Sequence, residues 1–228
     1  MAKTRLMPGA FAEHFQEASV GCSAFECWQR FVYMTAYEIA LSCDQDASAI
    51  RDIAQASRSQ ADQKIDSYRM MFAEYVSRID ENPFQDFLGD AFMRLGIGNE
   101  LGGQFFTPYQ VARMNAAVVI YRRSFEEKEW VSVSEPACGA GANVIAFCDV
   151  MHEMGLDWQR GAYFVCQDVS ELTALMCFIQ LSLIGAAATV IIGNTLRMER
   201  RYGLRTPVAV MDSAWTARRI RGELDDVW

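Results

Sequence analysis

The feature of this sequence that most constrains its fold is a strand pattern that passes directly into a helix pattern at residues 131–151. The segment reads VSVSEPACGAGANVIAFCDVM: two valines alternate with serines, an acidic, glycine-containing turn follows, and apolar residues then recur at helical spacing. Further strand patterns lie near 162–167, 188–193 and 207–211. A helix pattern near 142–154 separates the strand at 131–134 from the second strand, and another near 170–184 separates the second from the third. Such alternation predicts an α/β fold with a parallel sheet and crossover helices.

The first hundred residues, in contrast, carry only helix patterns. Apolar residues recur at helical spacing in 23–42 and 84–95, and the stretch between them predicts one long helix or two shorter ones. Thr107-Pro108 predicts another helix start, with Thr107 as the N-cap. We therefore expect an all-helical N-terminal region over residues 1–100 and an α/β domain over residues 101–228, joined near the segment GIGNELGGQ.

Composition argues against several classes of protein. Hydrophobic residues make up 51% and charged residues 22% of the chain, as in soluble globular proteins. No apolar run is long enough to span a bilayer and no signal-peptide core follows the first residues, so we expect a cytoplasmic protein without membrane contact. Seven cysteines form no CxxC pair and only two histidines occur, which argues against a metal site.

The net charge of −8 is unevenly distributed along the chain. Residues 195–222 contain seven arginines but only two acidic residues, whereas the part before them is acidic. An arginine-rich segment on an acidic body could bind the phosphates of nucleic acid. On charge alone, a solvated surface or an intramolecular match to the acidic half is the simpler explanation.

Polar groups follow three of the predicted strands, at the ends where ligands bind in open α/β sheets. Glu135 and the glycine turn follow the first strand, Asp168 the second and Asn194 the third. Glycines let a ligand approach the backbone, an acid there can bind ribose hydroxyls, and an asparagine can bond an adenine edge. Each also has a structural explanation, since Asp168 or Ser170 could cap a helix and Asn194 could serve a turn. The three together favour a ligand site.

Four segments, in order along the chain, resemble motifs of the adenine-N6 DNA methyltransferases that serve as modification subunits in restriction-modification systems. They are GGQFFTP (102–108), EPACGAG (135–141), QDVSELTALMCFIQLSLIG (167–185) and GNTL (193–196). The chain is especially similar to short phage- and plasmid-type members, over about residues 83–194. The resemblance implies a Rossmann-like, S-adenosylmethionine-dependent methyltransferase core with a truncated parallel sheet.

The resemblance also implies S-adenosylmethionine as the cofactor and assigns residues to its parts. Phe105 and Thr107 would line the methionine end, and Asp168 would bind the ribose. Asn194 would bind the adenine, although it replaces the usual aspartate and so keeps an acceptor oxygen without the charge. The amino acid part would be held by Glu135, Ala137, Cys138, Gly139 and Gly141.

The resemblance is weakest at the catalytic tetrapeptide, N/D-P-P-Y/F/W, which follows the family's fourth strand and grips a flipped adenine. Here PVAVM is followed by DSAW (212–215), so both prolines and the backbone rigidity that they supply are missing. Asp212 would accept from the adenine amino group and Trp215 would stack on the base. DNA phosphates would be bound by Arg197, Arg200, Arg201, Arg218 and Arg219.

Two functions are compatible with these motifs. The first is methyl transfer from S-adenosylmethionine to adenine N6 in DNA, by a member with a degenerate catalytic motif. The alternative is a non-catalytic, S-adenosylmethionine-binding or DNA-associated regulatory or partner protein of a restriction or anti-restriction system. In either case a sheet of about four strands leaves an exposed edge. We therefore expect a homo-oligomer or a partner subunit that covers this edge.

Overall fold

The structure is a computed structural model that describes residues 9–97, 106–120, 125 and 128–224 of the chain. Helices precede the sheet: α1 (Ala10–Ser19), α2 (Ala24–Ser42), α3 (Ser48–Ala61), α4 (Ile65–Glu81), α5 (Phe87–Arg94) and α6 (Tyr109–Val119). The strands are β1 (Val131–Glu135), β2 (Ala162–Asp168), β3 (Ala187–Ile192) and β4 (Tyr202–Arg205). The helices of the sheet region are α7 (Ala142–Glu153), α8 (Trp158–Gly161), α9 (Glu171–Leu183), α10 (Pro207–Met211) and α11 (Ser213–Ile220).

The sheet has the strand order β1-β2-β3-β4. The first three strands run parallel, whereas β4 is antiparallel to β3. This confirms the predicted strands near 131–134, 162–167 and 188–193 and the α/β fold class with a Rossmann-like parallel core. The helical region before the sheet is also confirmed, while its expected junction near 96–104 falls mostly outside the described residues.

The predicted fourth strand at 207–211 is wrong, because these residues form helix α10. Pro207 occupies the first turn of this helix, where its missing N–H costs no hydrogen bond. Thr206 anchors the helix start, since its Oγ1 donates to Ala186 O at 2.6 Å and accepts from the Ala188 N–H at 2.9 Å. The fourth strand is instead β4, which returns the chain from the carboxyl end of β3 to the amino end of the sheet.

One hydrophobic core joins the helical region to one face of the sheet. Gln180 of α9 is fully buried and connects three parts of this core. Its Nε2 donates to Asp86 Oδ1 at 2.7 Å and to Ala140 O at 2.8 Å, and its Oε1 accepts from the Leu88 N–H at 3.0 Å. Because buried polar groups are costly unless paired, this network fixes α5 against the turn that follows β1.

The opposite face of the sheet is covered unevenly. A small cluster that includes Trp215 and Ala209 packs on Tyr163 and Ala187, which lie near the amino ends of β2 and β3. On β1, residues 131–135 alternate between half-buried and exposed positions, and the serines at 132 and 134 are exposed. Strands buried on both faces are continuously apolar, so the alternation in β1 reflects a half-open face.

Candidate cofactor site

The carboxyl ends of β1 and β2 carry the two acidic residues of the candidate site. Glu135 ends β1, and its Oε2 accepts a hydrogen bond from Asn143 Nδ2 at 3.0 Å. Asp168 ends β2; its Oδ2 accepts from the Gly139 N–H and its Oδ1 from the Ser170 N–H, each at 2.8 Å. Because the two strands are adjacent and parallel, both carboxylates lie at the edge of the sheet where ligands bind in such folds.

The turn between β1 and α7 depends on glycine at two positions. Gly139 (φ +52°) and Gly141 (φ +103°) adopt backbone conformations that other residues rarely take. Gly141 is also closely packed, since a Cβ there would lie 3.0 Å from Cys177 Sγ. The Cys138 N–H donates to Gln167 O at 2.9 Å and so ties the turn to the end of β2.

A cleft of about 190 Å³ opens beside this turn. It is lined by the turn, the start of α7, Asp168 and Thr173, and by Phe106 and Thr107 from the segment before α6. A Cβ on Gly139 would lie 3.1 Å from the Phe106 ring, so this segment packs directly on the turn. The cleft brings together these residues expected to bind the cofactor: Thr107, Ala137, Cys138, Gly139 and Asp168. Phe105 lies outside the described residues.

Asn143 is a candidate that the sequence motifs did not identify. Its Nδ2 donates to Glu135, which fixes the orientation of the carboxamide, and its Oδ1 is buried without a hydrogen-bond partner in the described part of the chain. Buried acceptors are normally paired, so a donor group in the cleft would complete this one. A polar residue at the second position of an otherwise apolar helix start was the available signal.

The cleft also offers backbone donors. The N–H groups of Val144 and Ile145 both donate to Gly141 O. Ala142 and Asn143 precede them in the first turn of α7, where helix geometry leaves N–H groups without an intrahelical acceptor. Both residues line the cleft. Acceptor oxygens and backbone donors therefore occur side by side, as a zwitterionic ligand requires.

Cys138 is a structural residue of the turn rather than a nucleophile. The hydrogen bond with Cys177 lowers the pKa of the Cys138 thiol, but burial together with the nearby Cys166, Asp168 and Glu135 side chains outweighs it and raises the pKa to about 11. A thiol with such a pKa is protonated near neutral pH and reacts poorly. No group of metal-binding side chains occurs within the described ranges, and no helix there has the length and apolar character needed to cross a membrane.

Asn194 follows β3 as expected, but its acceptor is engaged. Its Oδ1 accepts from the Arg197 N–H at 3.1 Å and so caps a short 3-10 turn, Thr195–Arg197. Thr195 Oγ1 donates to Pro136 O at 2.7 Å, which ties this turn to the end of β1. Asn194 therefore lies close to the glycine turn without lining the cleft, in the turn-forming role that was the alternative explanation.

Asp212 lies at the opposite end of the sheet from the cleft. It is the N-cap of α11: its Oδ1 accepts from the Ala214 N–H at 2.8 Å, and its Oδ2 pairs with Arg160 Nη2 at 3.1 Å. Arg160 belongs to α8, which directly precedes β2. Since a strand rises about 3.3 Å per residue, the two ends of β2 are roughly 20 Å apart. The structure thus corrects the expectation that Asp212 meets the target adenine beside the cofactor.

Trp215 is fully buried, which corrects its expected role as a stacking ring. Its Nε1 donates to Gln159 O at 2.7 Å, and its ring packs on Tyr163 and Trp130 with centroid distances of 5.1 and 5.5 Å. A ring without exposed surface cannot stack on a base. Both corrections have one cause. The tetrapeptide follows helix α10 at the amino end of the sheet, whereas the motif was expected after a parallel fourth strand that ends beside the cleft.

The arginines expected to bind DNA divide between the two ends of the sheet. Arg197, Arg200 and Arg201 follow β3 beside the cleft, and all three are exposed. Arg201 also contacts the body of the protein, since its Nη1 lies 3.6 Å from Glu171 Oε2. Arg197, Arg200 and Arg201 are therefore in a position to contact a nucleic acid near the cleft.

Arg218 and Arg219 lie on α11, at the other end. Arg218 is 3% exposed; its guanidinium lies 4.4 Å from the Trp215 ring centroid and pairs with Glu129 Oε1 at 2.9 Å. This corrects the expectation that Arg218 binds phosphate, because a buried and paired guanidinium cannot reach one. Arg219 donates to Ala209 O and so joins α11 to α10.

Comparison with known proteins decides the family. A family model described as N-6 DNA methylase matches residues 88–213, more than half of the chain. The chain belongs to the N-6 DNA methylase family. The match includes every residue of the cleft and all four strands, and it confirms the resemblance to the adenine-N6 DNA methyltransferases. No protein of curated function matches the sequence significantly.

Among solved structures, this N-6 DNA methylase family member is similar to a Listeria monocytogenes protein assigned to the class I S-adenosylmethionine-dependent methyltransferases. The identity is 16% and the TM-score 0.40, over 78% of this chain and 51% of that one. The chain thus spans about half the length of that protein.

Proposed function

We propose that this family member binds S-adenosylmethionine in the cleft beside the glycine turn and serves the methylation of adenine N6 in DNA. The observation that carries the proposal is the hydrogen bond between Asp168 and the Gly139 N–H. This bond brings the Asp168 carboxylate, the backbone of the glycine turn and the start of α7 together in one cleft. A charged nucleoside requires this combination of an acidic acceptor, a backbone that it can approach closely and free N–H donors.

The residues of the cleft fit the groups of this cofactor. Asp168 accepts one hydrogen bond on each oxygen, and a carboxylate has about four acceptor positions, so two remain for ribose hydroxyls. Glu135 and Asn143 Oδ1, which has no hydrogen-bond partner among the described residues, offer acceptors to the methionine ammonium. The amide groups at the start of α7 offer donors to its carboxylate. The roles of Phe105 and Asn194 rest on the motifs alone.

Bound S-adenosylmethionine supplies an electrophilic methyl group. The contribution of the chain itself would be orientation and exclusion of water, since direct transfer needs no covalent intermediate with the protein. The protonated Cys138 thiol agrees with this. Arg197, Arg200 and Arg201 would hold phosphates near the mouth of the cleft.

The positions of Asp212 and Trp215 favour a second candidate function. In this alternative the chain binds the cofactor, and the groups that grip the adenine come from another polypeptide of a restriction or anti-restriction system. The motifs suggest a phage or plasmid setting for such a system. We expect either form to act in the cytoplasm on DNA, with a homo-oligomer or a partner subunit on the open side of β1.

Calorimetric titration with S-adenosylmethionine tests the shared part of both candidates. We expect Asp168→Ala to abolish binding. Asp157→Ala is the matched control, because Asp157 also accepts two backbone N–H groups at a helix start, from Gln159 and Arg160, but lies away from the cleft. Failure of the folded wild type to bind would refute the proposal.

Transfer of labelled methyl groups to DNA then separates the two candidates. Transfer by the purified chain alone would support the enzyme. Cofactor binding without transfer, restored when a partner chain is added, would support the second candidate.

A further inference from the structure

Helix α6 exposes an apolar face. Its inner side, with Ala112 and Ala116, is buried against the core. Its outer side shows Val111, Met114 and Val118 at helical spacing, with exposed fractions of 46%, 70% and 84%. An exposed apolar stripe of this kind marks an interaction surface more often than a solvated one.

The stripe is uncharged. Arg113 is the charged residue of α6, and it points to α7, where it pairs with Asp149 at 2.8 Å and with Glu153. The chain as a whole carries a net charge of −8. The α6 stripe is therefore a neutral patch on an acidic protein.

The open edge of β1 lies on the same side of the molecule. Helix α7 follows β1 and packs between α6 and α9, while α9 covers β2 and β3, so α6 lies beyond β1. Over the described residues, β1 pairs only with β2. The other outer strand, β4, is protected: the Arg205 N–H donates to Gln45 Oε1 at 2.8 Å, and Arg205 O accepts from Gln45 Nε2. An uncovered edge beside an apolar helix is a template for association.

We infer that this side of the molecule binds a second copy of the chain. A two-fold axis perpendicular to the sheet and beside β1 would pair the two β1 strands antiparallel. The same axis keeps both α6 helices on one face, next to each other and antiparallel. A single symmetric contact thus covers the strand edge and the stripe together.

Symmetry favours a second copy over an unrelated partner. Two chains of net charge −8 repel each other through their charged surfaces, but contact across a neutral stripe places no like charges against each other. Both features are also self-complementary, since an apolar stripe packs on its own copy and a strand edge pairs with itself. The inference names the partner that the proposed function expects on the open side of β1, but it concerns a surface outside the cleft and does not depend on cofactor binding.

Sedimentation velocity over a wide range of protein concentration tests the dimer. We expect the wild type to sediment at twice the 25.7-kDa mass of the chain. Met114→Glu should raise the dimer dissociation constant about 100-fold or more, because each dimer would bury two new charges. Met70→Glu is the matched control: Met70 is 49% exposed on α4, which packs on α1 and α3 in the helical region, and its variant should remain dimeric.

Val118→Glu repeats the test at a second position, and thermal melting shows whether each variant is folded. Mixing Met114→Glu with Met114→Lys should restore a dimer, which a contact with any other protein would not do. A wild type that stays at 25.7 kDa, or a folded Met114→Glu variant that dimerises like the wild type, would overturn the inference. Cofactor titration is read separately, so failure here would remove a second copy as the partner on the open side of β1 and would leave the proposed binding of S-adenosylmethionine unaffected.

Discussion

The Asp168 carboxylate accepts a hydrogen bond from the Gly139 N–H at 2.8 Å, which joins the end of β2 to the turn that follows β1. A second bond, from the Cys138 N–H to Gln167 O at 2.9 Å, runs parallel to it. Two strand ends are therefore fixed to each other without a ligand. Because the turn is already ordered, little binding energy has to be used to arrange the cleft.

Asp168→Asn tests the charge of this contact with a minimal change in shape. We expect the dissociation constant for S-adenosylmethionine to rise about 10- to 100-fold, since a hydrogen bond to a charged group is replaced by a neutral one. Calorimetric titration measures the change, and Asp157→Asn should bind like the wild type. Equal affinities of Asp168→Asn and the wild type would remove Asp168 from the site.

Asn143→Ala tests the candidate that the motifs missed. Loss of the Oδ1, which has no hydrogen-bond partner among the described residues, should raise the dissociation constant for S-adenosylmethionine about 10-fold, the usual effect of one hydrogen bond to a charged group. The unfolding free energy should fall by only about 1 kcal/mol, because the variant also loses the hydrogen bond that Asn143 Nδ2 donates to Glu135. Asn115→Ala, on the exposed side of α6, is the control. A large loss of stability with unchanged affinity would make Asn143 a structural residue.

The sequence patterns predicted the parallel strands and the glycine turn because both depend on local chemistry. The alternating valines of β1 and the glycines that adopt positive φ in the turn can both be located directly in the amino-acid sequence. The segment 207–211 was misread because a five-residue apolar run suits a buried strand and a buried helix equally. Pro207 after Thr206 was the signal for a helix start.

The candidate site was only partly predictable, for a reason of topology. A strand antiparallel to β3 was not apparent in Tyr202–Arg205, and it moves everything after it to the other end of the sheet. Asp212, Trp215 and Arg218 therefore matched a motif or a charge pattern in order along the chain but not in space. Charge patterns likewise cannot show that Arg218 is buried between Trp215 and Trp130.

Asp212→Ala tests the corrected position of the tetrapeptide. The variant should lose about 1 kcal/mol of unfolding free energy, as for removal of other helix caps, and should bind S-adenosylmethionine like the wild type. Denaturant unfolding and titration measure the two effects. Asp66→Ala, which removes an exposed acid paired with Arg69, should be nearly neutral. A loss of cofactor affinity in Asp212→Ala would return this residue to the site.

The same variant has an expected pH dependence. Partial burial raises the pKa of the Asp212 carboxyl, but hydrogen bonds from the Ala214 N–H and Arg160 outweigh it and lower the pKa. An acid whose pKa is lowered on folding stabilises the protein above its unfolded pKa and loses that effect as the pH falls through the folded pKa. The stability difference between wild type and Asp212→Ala should therefore shrink at acidic pH.

Asp86 should have the opposite pH dependence. Burial raises its pKa, although hydrogen bonds to its Oδ1 from Gln180 Nε2 at 2.7 Å and the Gly89 N–H at 3.0 Å act against this. The folded state then binds the proton more tightly than the unfolded state. Ionisation therefore costs stability, which falls as the pH rises from the unfolded to the folded pKa. Asp86→Asn keeps the acceptor Oδ1 without the charge, so its stability should not fall over this range.

Denaturant unfolding from acidic to neutral pH measures this difference. At neutral pH, Asp86→Asn should be at least as stable as the wild type, because an uncompensated buried carboxylate costs more than a buried amide. Asp90→Asn, which changes an exposed acid on the same helix, should keep the pH profile of the wild type. If the wild type is instead the more stable protein at neutral pH, then Gln180 and the Gly89 N–H compensate the charge fully, and the connection between α5 and the cofactor turn depends on an ionised Asp86.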